Sequence, residues 1–402
     1  MKRFLMGLLI LLWGMTLRAQ EAPELHVFFE SFATNPALTQ MIVFSELPKE
    51  TRKLIAWHRF PNRKDVVNLD KYNTREIELI HGEGYWPDAT NRMIKATLEE
   101  LEKTPTARLH LHVNMWKMDY VIRPFLERIP NKNIAMFHLY EDGYGELLKR
   151  ELFLTDKQKT YSTEELKQAI KGDKQWEDPM SLFLYRLYPV TYYFFEYDSL
   201  ADNPEMAPLL SYLKDLSVKT INFSKLNSTL TEEQKQLIYR LSDFDYKKYA
   251  DLFRNKKTVV FLMGYHFGSK KNETRERNFL KHLKTDDDFS GIHGSDYTWF
   301  YKPHPSLNAG GTIAEFKEAF PDMIEISAQI PFELFALSGL RPTYVTGFSS
   351  SAFYPWNKDE ILYMVLRGPH DIYRHFLKRI RHLDDRQFLS WSQAEGPVEK
   401  QD

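Results

Sequence analysis

Short apolar runs that end in polar or glycine-bearing loops alternate, along most of this chain, with stretches whose apolar residues recur every three or four positions. The first run, Leu25-His-Val-Phe-Phe-Glu30, suits a buried strand; Asn35 to Glu46 follows with Leu38, Met41, Ile42 and Phe44 at helical spacing. Leu54–Trp57, Ile77–Ile80 and Leu109–Val113 predict further strands, with helices at Met93–Leu101 and Met118–Leu126 between them. Asn133 to Tyr140 then runs as a strand directly into Glu141-Asp142-Gly143. Such alternation predicts a parallel sheet covered on both faces.

From Leu147 to Leu252 the pattern changes. Charged and aromatic residues at helical spacing, as in Tyr185–Phe195 and Glu232–Leu241, predict helices packed beside and between two sheets. Strand patterning resumes at Thr258–Met263 and continues through Tyr297–Lys302, Met323–Ile326, Thr343–Thr346 and Ile361–Val365. Helices such as Phe332–Leu340 lie between, and Ile372–Leu383 predicts a closing amphipathic helix. The expected fold class is α/β, with two Rossmann-like domains facing across a cleft. Residues 20–180 are assigned to the first domain and 181–379 to the second, with a C-terminal helix at about 380–398 packing back on the first. Open α/β sheets bind ligands at the carboxyl ends of their strands. Four segments stand at such ends: Tyr140-Glu141-Asp142-Gly143, Lys302-Pro303-His304-Pro305, Ile330-Pro331-Phe332-Glu333 and Gly347-Phe348-Ser349-Ser350-Ser351.

Composition narrows the function classes. A formal net charge of -1 over 402 residues gives no electrostatic footprint for nucleic acid. Aromatic content of 14% suits either large cores or carbohydrate stacking. Cysteine is absent, which removes disulfides, thiolate metal sites and thiol nucleophiles. Lys2-Arg3, an apolar run from Phe4 to Leu17 and then Arg18-Ala19-Gln20 describe a signal peptide, residues 1–19. The run is shorter than the roughly 20 residues of a comfortable span. Leu17 is large for the position before a cleavage site, so an uncleaved anchor stays open. Export without cysteine suits a bacterial envelope protein, periplasmic or membrane-associated.

The four segments offer a definite chemistry. Asp142, beside a glycine that lets the chain turn, can point into a cleft, although Asp-Gly is also an ordinary turn. Glu141 and Glu146 add negative charge that keeps a base from becoming too weak. His304 is fixed between two prolines, and Lys302 adds a second cation where a phosphate could sit; taken without the other segments, the pair reads first as a structural histidine. Glu333 either favours a helix start electrostatically or accepts the hydroxyls of a ribose. Ser349, Ser350 and Ser351 offer donors to a phosphate, or simply a cap. A base, an imidazolium, a second carboxylate and hydroxyls are the inventory for moving a sugar off a nucleotide without a metal. Asp243-Phe-Asp245 has the letters of a metal-binding pair but lies in a helical stretch. His110 and His112 alternate on one strand face with no third ligand near in sequence. No Gly-x-Ser-x-Gly elbow, Walker loop or dinucleotide fingerprint occurs.

With these residues in hand, the chain resembles the bacterial sialyltransferases of glycosyltransferase family 80. That family carries an Asp-Asp-Gly-type motif, Lys-Gly-His-Pro, a Ser/Pro-Phe-Glu segment and a Ser-Ser pair in this order. Leu111-His-Val-Asn114 with Ile122-Arg-Pro124, and Gly264 with Asn272–Glu276, extend the likeness over nearly the whole mature chain. The resemblance implies a GT-B fold and inverting transfer of sialic acid from CMP-sialic acid to a terminal galactoside. The glycan would be one such as lipooligosaccharide, the linkage α-2,3 or α-2,6, with no cofactor and no required metal. It implies Asp142 as general base and His304 as the group that protonates or stabilises the departing phosphate. Lys302, Pro305, Gly264, Ser350 and Ser351 would meet the nucleotide, with Glu333 at its ribose. Arg59, Trp86, Asn114 and Lys117 would line the acceptor side. Departures from the family pattern are Glu141 for aspartate, Pro303 for glycine, Pro331 for serine, and Lys117 where a histidine can stand. Alternatives are a transferase for another CMP-activated acidic sugar, an inactive family member, and an exported two-lobed solute-binding protein without catalysis.

Overall fold

The computed structural model describes residues 22–31, 33–79, 85–115, 118–142, 161–175, 180–195, 216–254, 256–264, 270–285, 296–305, 311–348, 356–366, 378 and 383–390. The first sheet is built from β1 (Glu24–Glu30), β2 (Arg52–Trp57), β3 (Thr74–Glu76), β4 (Arg108–Asn114), β5 (Ile134–Tyr140), β6 (Val190–Phe195) and β7 (Ser217–Ile221). Its strands pair in parallel in the order β3-β2-β1-β4-β5-β6-β7. Parallel pairing requires crossovers; α1 (Thr34–Glu46), α2 (Tyr85–Lys103), α3 (Arg123–Arg128) and α4 (Thr163–Ile170) lie in them. A π-helical turn, Met118–Ile122, leads into α3. Helix α1 is buried from Asn35 to Phe44 on every side, as befits its low amphipathicity.

Three helices follow β7: α5 (Phe223–Thr229), α6 (Glu232–Leu241) and α7 (Tyr246–Phe253). Thr231 and Gln234 form a reciprocal capping box on α6, and the Asp245 side chain accepts from Lys248 N to cap α7. Asp243 takes φ 56 in the turn between them. Asp243-Phe-Asp245 is therefore a helix–helix turn.

The second sheet comprises β8 (Thr258–Leu262), β9 (Thr298–Lys302), β10 (Ile324–Glu325), β11 (Tyr344–Gly347), β12 (Ile361–Leu366) and β13 (Phe388–Ser390). Their order is β10-β9-β8-β11-β12-β13, again parallel throughout. Helices α8 (Lys270–Thr285), α9 (Gly311–Ala319) and α10 (Glu333–Leu337) lie between strands. In each sheet the direction of winding reverses once, between β1 and β4 in the first and between β8 and β11 in the second. Ligand-binding crevices open at such reversals, outside the carboxyl ends of the strands.

Several expectations need correction. The first sheet continues through β6 and β7, so a boundary at 180/181 cuts it in two. Tyr185–Phe195 is a 3-10 turn followed by β6, because Val190 to Phe195 is buried at every position and has no amphipathic period to show. The strand expected at Ile77–Ile80 is the shorter β3, just before it. Residues 383–390 of the expected C-terminal helix form a 3-10 turn and strand β13, which pairs with β12. Residues 380–382 and 391–398 of that helix, the leader and most of Ile372–Leu383 lie outside the described residues.

One apolar cluster joins the two units, running from β1 and β5 through α6 and α7 to β8 and α10. Phe244, Tyr249 and Phe253 surround Phe335 with ring centroids 5.0 to 5.4 Å away. Where β11 ends, Gly347 has φ 125 and a Cβ there would stand 2.2 Å from the Leu262 carbonyl oxygen. Gly347→Ala is expected to lower stability by more than about 2 kcal/mol. The denaturant midpoint measures this, and a variant with the wild-type midpoint would show that β8 and β11 can move apart freely.

Candidate active site

In the first unit, β4 and β5 bring Asn114 and Tyr140 side by side in register, and the chain then passes into Glu141 and Asp142. The two acids diverge. Glu141 is buried, and its carboxylate accepts the Phe195 backbone N–H at 2.8 Å, tying the exit of β5 to the end of β6. Asp142, one residue on, is half-buried. The negative neighbour expected beside Asp142 is thus a buried structural brace.

Beneath them the sheet carries a polar layer. His26 and His110, His112 and His138, and Tyr140 and Tyr193 are cross-strand partners. The His112 and His138 rings stack with centroids 4.1 Å apart. The Tyr140 hydroxyl lies 2.7 Å from His112 Nδ1. Burial holds His26 down near 4 and His138 near 2, with neighbouring imidazoles adding to the effect, so these rings are neutral at physiological pH.

In the second unit, β9 ends on Lys302, which donates to the carbonyls of Pro303 and Ala328 at 3.4 and 3.3 Å. Burial pushes the Lys302 ammonium down to about 8, and the Glu333 carboxylate nearby pulls it partly back. The group is therefore a cation below about pH 8. Its charge costs stability at neutral pH, a cost relieved as pH rises from about 8 toward the ordinary lysine value. His304 and Pro305 follow, both half-buried. Gly264, just beyond β8, donates its N–H to Glu276 of α8 at 2.6 Å. The segment Asn272–Glu276 thus holds the exit of β8.

Two hydrogen bonds draw these strand ends together. Arg59, two residues after β2, donates from Nη1 to the Pro305 carbonyl at 3.0 Å. Asn35, in the first turn of α1, donates from Nδ2 to Glu333 Oε1 at 2.9 Å, where Glu333 is wholly buried. Carboxyl ends of β1 and β2 therefore face those of β9 and the start of α10. A cavity of about 360 Å³ opens beside Arg59, lined also by Arg63, Asp243, Lys248 and Gln329.

Of the sequence-selected residues, Arg59, Asn114, Asp142, Gly264, Lys302, His304, Pro305 and Glu333 all lie at strand exits or the helix start that follows one. Trp86 stands in the first turn of α2 with its side chain outside the described residues; Lys117, Ser350 and Ser351 lie outside them too. Sequence reasoning missed Asn35. Asn-Pro before an apolar helix signals a helix start and says nothing about a carboxylate distant in sequence. Among the described residues no helix is long and apolar enough to cross a membrane.

A family model described as "Sialyltransferase PMO188" matches residues 25–377. Among solved structures, an alpha/beta-galactoside alpha-2,3-sialyltransferase from the luminous marine bacterium Photobacterium phosphoreum superposes with a TM-score of 0.75 at 18% identity, over 93% of this chain and 100% of that one. The GT-B domain of a Photobacterium damselae sialyltransferase gives 0.72 at 20% identity, over 91% and 99%. A 2,6-sialyltransferase from Photobacterium sp. JT-ISH-224, in complex with CMP and lactose, gives 0.72 at 19% identity, over 92% and 78%. No curated protein matches the chain in sequence. At these identities the structural likeness establishes the fold, which is GT-B.

The two adjacent acids should separate in stability measurements. Glu141→Ala is expected to lower unfolding free energy by about 1.5–3 kcal/mol, the scale of a buried charged hydrogen bond. Asp142→Asn, half-exposed and isosteric, is expected to change it by less than about 1 kcal/mol. Equal losses in the two denaturation curves would contradict the brace.

Proposed function

The chain belongs to this sialyltransferase family, a class of glycosyltransferase, and from that premise we propose that it transfers sialic acid from CMP-sialic acid to a terminal galactoside with inversion. The observation that carries the proposal is the facing of two sets of strand exits, one presenting Asp142 and the other Lys302, His304 and Glu333. The pairs Arg59–Pro305 and Asn35–Glu333 join them.

In this reading Asp142 takes the proton of the acceptor hydroxyl as its oxygen attacks the anomeric carbon of the sugar. The bond from that carbon to the CMP phosphate breaks, and the electron pair leaves with CMP. His304 meets the growing phosphate charge with a proton or a hydrogen bond. Lys302, a cation below about pH 8, adds positive potential in a buried setting, where it acts more strongly than in water. Glu333 opens α10 with one carboxylate oxygen on Asn35 and receives the ribose of CMP. Ser350 and Ser351, three and four residues after β11 in the sequence, supply further donors, and Gly264 a backbone approach just beyond β8. Asn114, Arg59, Trp86 and Lys117 line the acceptor side. The solved relative that holds CMP together with lactose supports this pairing of donor and acceptor. Linkage is α-2,3 or α-2,6, and the natural acceptor is a glycan such as lipooligosaccharide. The N-terminal leader supports a place in the bacterial envelope.

Incubation with CMP-sialic acid and lactose, with the product linkage read by NMR, tests the reaction itself. Asp142→Asn is expected to lower kcat by about 10²- to 10⁴-fold while CMP still binds, the scale of general-base help. His304→Ala is expected to cost roughly 10²-fold or more. A wild-type kcat in either variant removes that residue from its role. Initial rates measured with excess EDTA are expected to equal those without it; loss restored by manganese would make the chemistry metal-dependent.

A further inference from the structure

Alternation along β4 places His110 and His112 on one sheet face, and the parallel register sets β1 beside them, with His26 opposite His110. Glu24, two residues before His26 and so on the same face, opens β1 at the amino end of the sheet. Its carboxylate Oε2 lies 3.3 Å from His26 Nε2, and Oε1 lies 3.6 Å from His110 Nε2. Ligand atoms of a tetrahedral ion with bonds of ~2.0 Å sit about 3.3 Å apart. The three donors lie within 4.8 Å of one another, with the His26 and His110 rings stacked 4.5 Å apart, so the group must draw together to reach that spacing.

The rings are aimed from behind. His26 Nδ1 lies 2.9 Å from His112 Nε2, and His110 Nδ1 lies 3.2 Å from His138 Nε2. His112 Nδ1 contacts the Tyr140 hydroxyl at 2.7 Å, and His138 Nδ1 the Tyr193 hydroxyl at 3.3 Å. The Tyr140 and Tyr193 rings stack beside each other with centroids 4.5 Å apart. Each outer imidazole is thus backed by a second imidazole and, behind that, a tyrosine hydroxyl.

A cation between Glu24 and the two Nε2 atoms would give both outward lone pairs a partner. Both Nε2 lone pairs then turn to the cation, and both Nδ1–H groups donate inward to His112 and His138. His110 Nε2 is buried there without a hydrogen-bond partner among the described residues, and Glu24, half-exposed, gives access from solvent. Arg108 and Lys53 are the positive neighbours that oppose a cation, and the Lys53 ammonium is occupied by the carbonyls of Pro48, Thr51 and Tyr72.

We propose that Glu24, His26 and His110 form a binding site for a divalent transition-metal ion such as zinc, at the end of the first sheet remote from Asp142. Two imidazoles and a carboxylate suit zinc and its neighbours better than magnesium or calcium. The remaining coordination position goes to water. The ion pins β1 to β4 and takes no part in sugar transfer, since it lies one strand length, roughly 20 Å, from the carboxyl ends.

Calorimetric titration of chelator-stripped, full-length protein with zinc chloride tests this. The expected result is saturable uptake of one equivalent. Glu24→Ala, a change at a half-exposed position that should not endanger folding, is expected to weaken it at least ~10-fold, and His110→Gln similarly. His282→Asn, on α8, is expected to bind as the wild type does. Cobalt loading should give the intense visible bands of a tetrahedral site, lost in Glu24→Ala. Zinc should raise the wild-type Tm but not that of Glu24→Ala. No saturable binding, or the same isotherm in Glu24→Ala as in the wild type, overturns the proposal. Transfer activity measured well below the melting range does not enter the test, so its outcome is separate from that of the catalytic reading.

Discussion

A wholly buried carboxylate and a buried ammonium sit near each other in the second unit, and the arrangement of the two halves depends on keeping both tolerable. Glu333 and Lys302 attract one another, but neither is satisfied by that alone. Lys302 leans on two backbone carbonyls, and Glu333 takes an amide proton from Asn35 in the opposite unit. Removing one member of a buried charged pair typically costs about 3–5 kcal/mol. The hydrogen bond from Asn35 therefore does more than bridge a gap. It lets the second unit keep its acid out of water, and it does so only when α1 is docked against α10. The chemistry at the strand exits and the docking of the halves are one problem with one solution.

The rest of the architecture serves that docking. Parallel sheets send every strand's carboxyl end to the same edge, so facing edges gather loops from many strands into one place. Backbone braces then fix where each loop starts: Glu141 on Phe195 N, Glu276 on Gly264 N, and the close approach of Gly347 to Leu262. Each brace lies within a residue or two of a position proposed to touch substrate. Precision at the mouth comes from buried acids and a missing side chain, not from the loops themselves.

Much of this was legible in the sequence. Continuous apolar runs ending in polar motifs located most of the parallel strands, since strands covered on both faces need no alternation. The same property hid β6, whose wholly buried Val190–Phe195 has no period and follows an aromatic stretch resembling a helix face. Strand β13 is three residues long and carries no local signal of its own. Motif letters named Glu141 and Asp142 together, but only the neighbouring strand β6 decides which acid turns inward. His110 and His112 were visible as an alternating pair, whereas Glu24 and His26 join them through register, a relation between strands that spacing along one strand does not contain. Asn35 is of the same kind: its partner is settled by tertiary docking.

The apolar cluster shared by both units bears on how such an enzyme could be re-engineered. With Phe335 enclosed by Phe244, Tyr249 and Phe253, the second unit is not a cassette that can be cut out and replaced. A chimera built with a relative's rear half would need the host's three linker helices recut to fit the incoming aromatic plug. The natural place for a graft is the rim of loops, leaving that socket untouched.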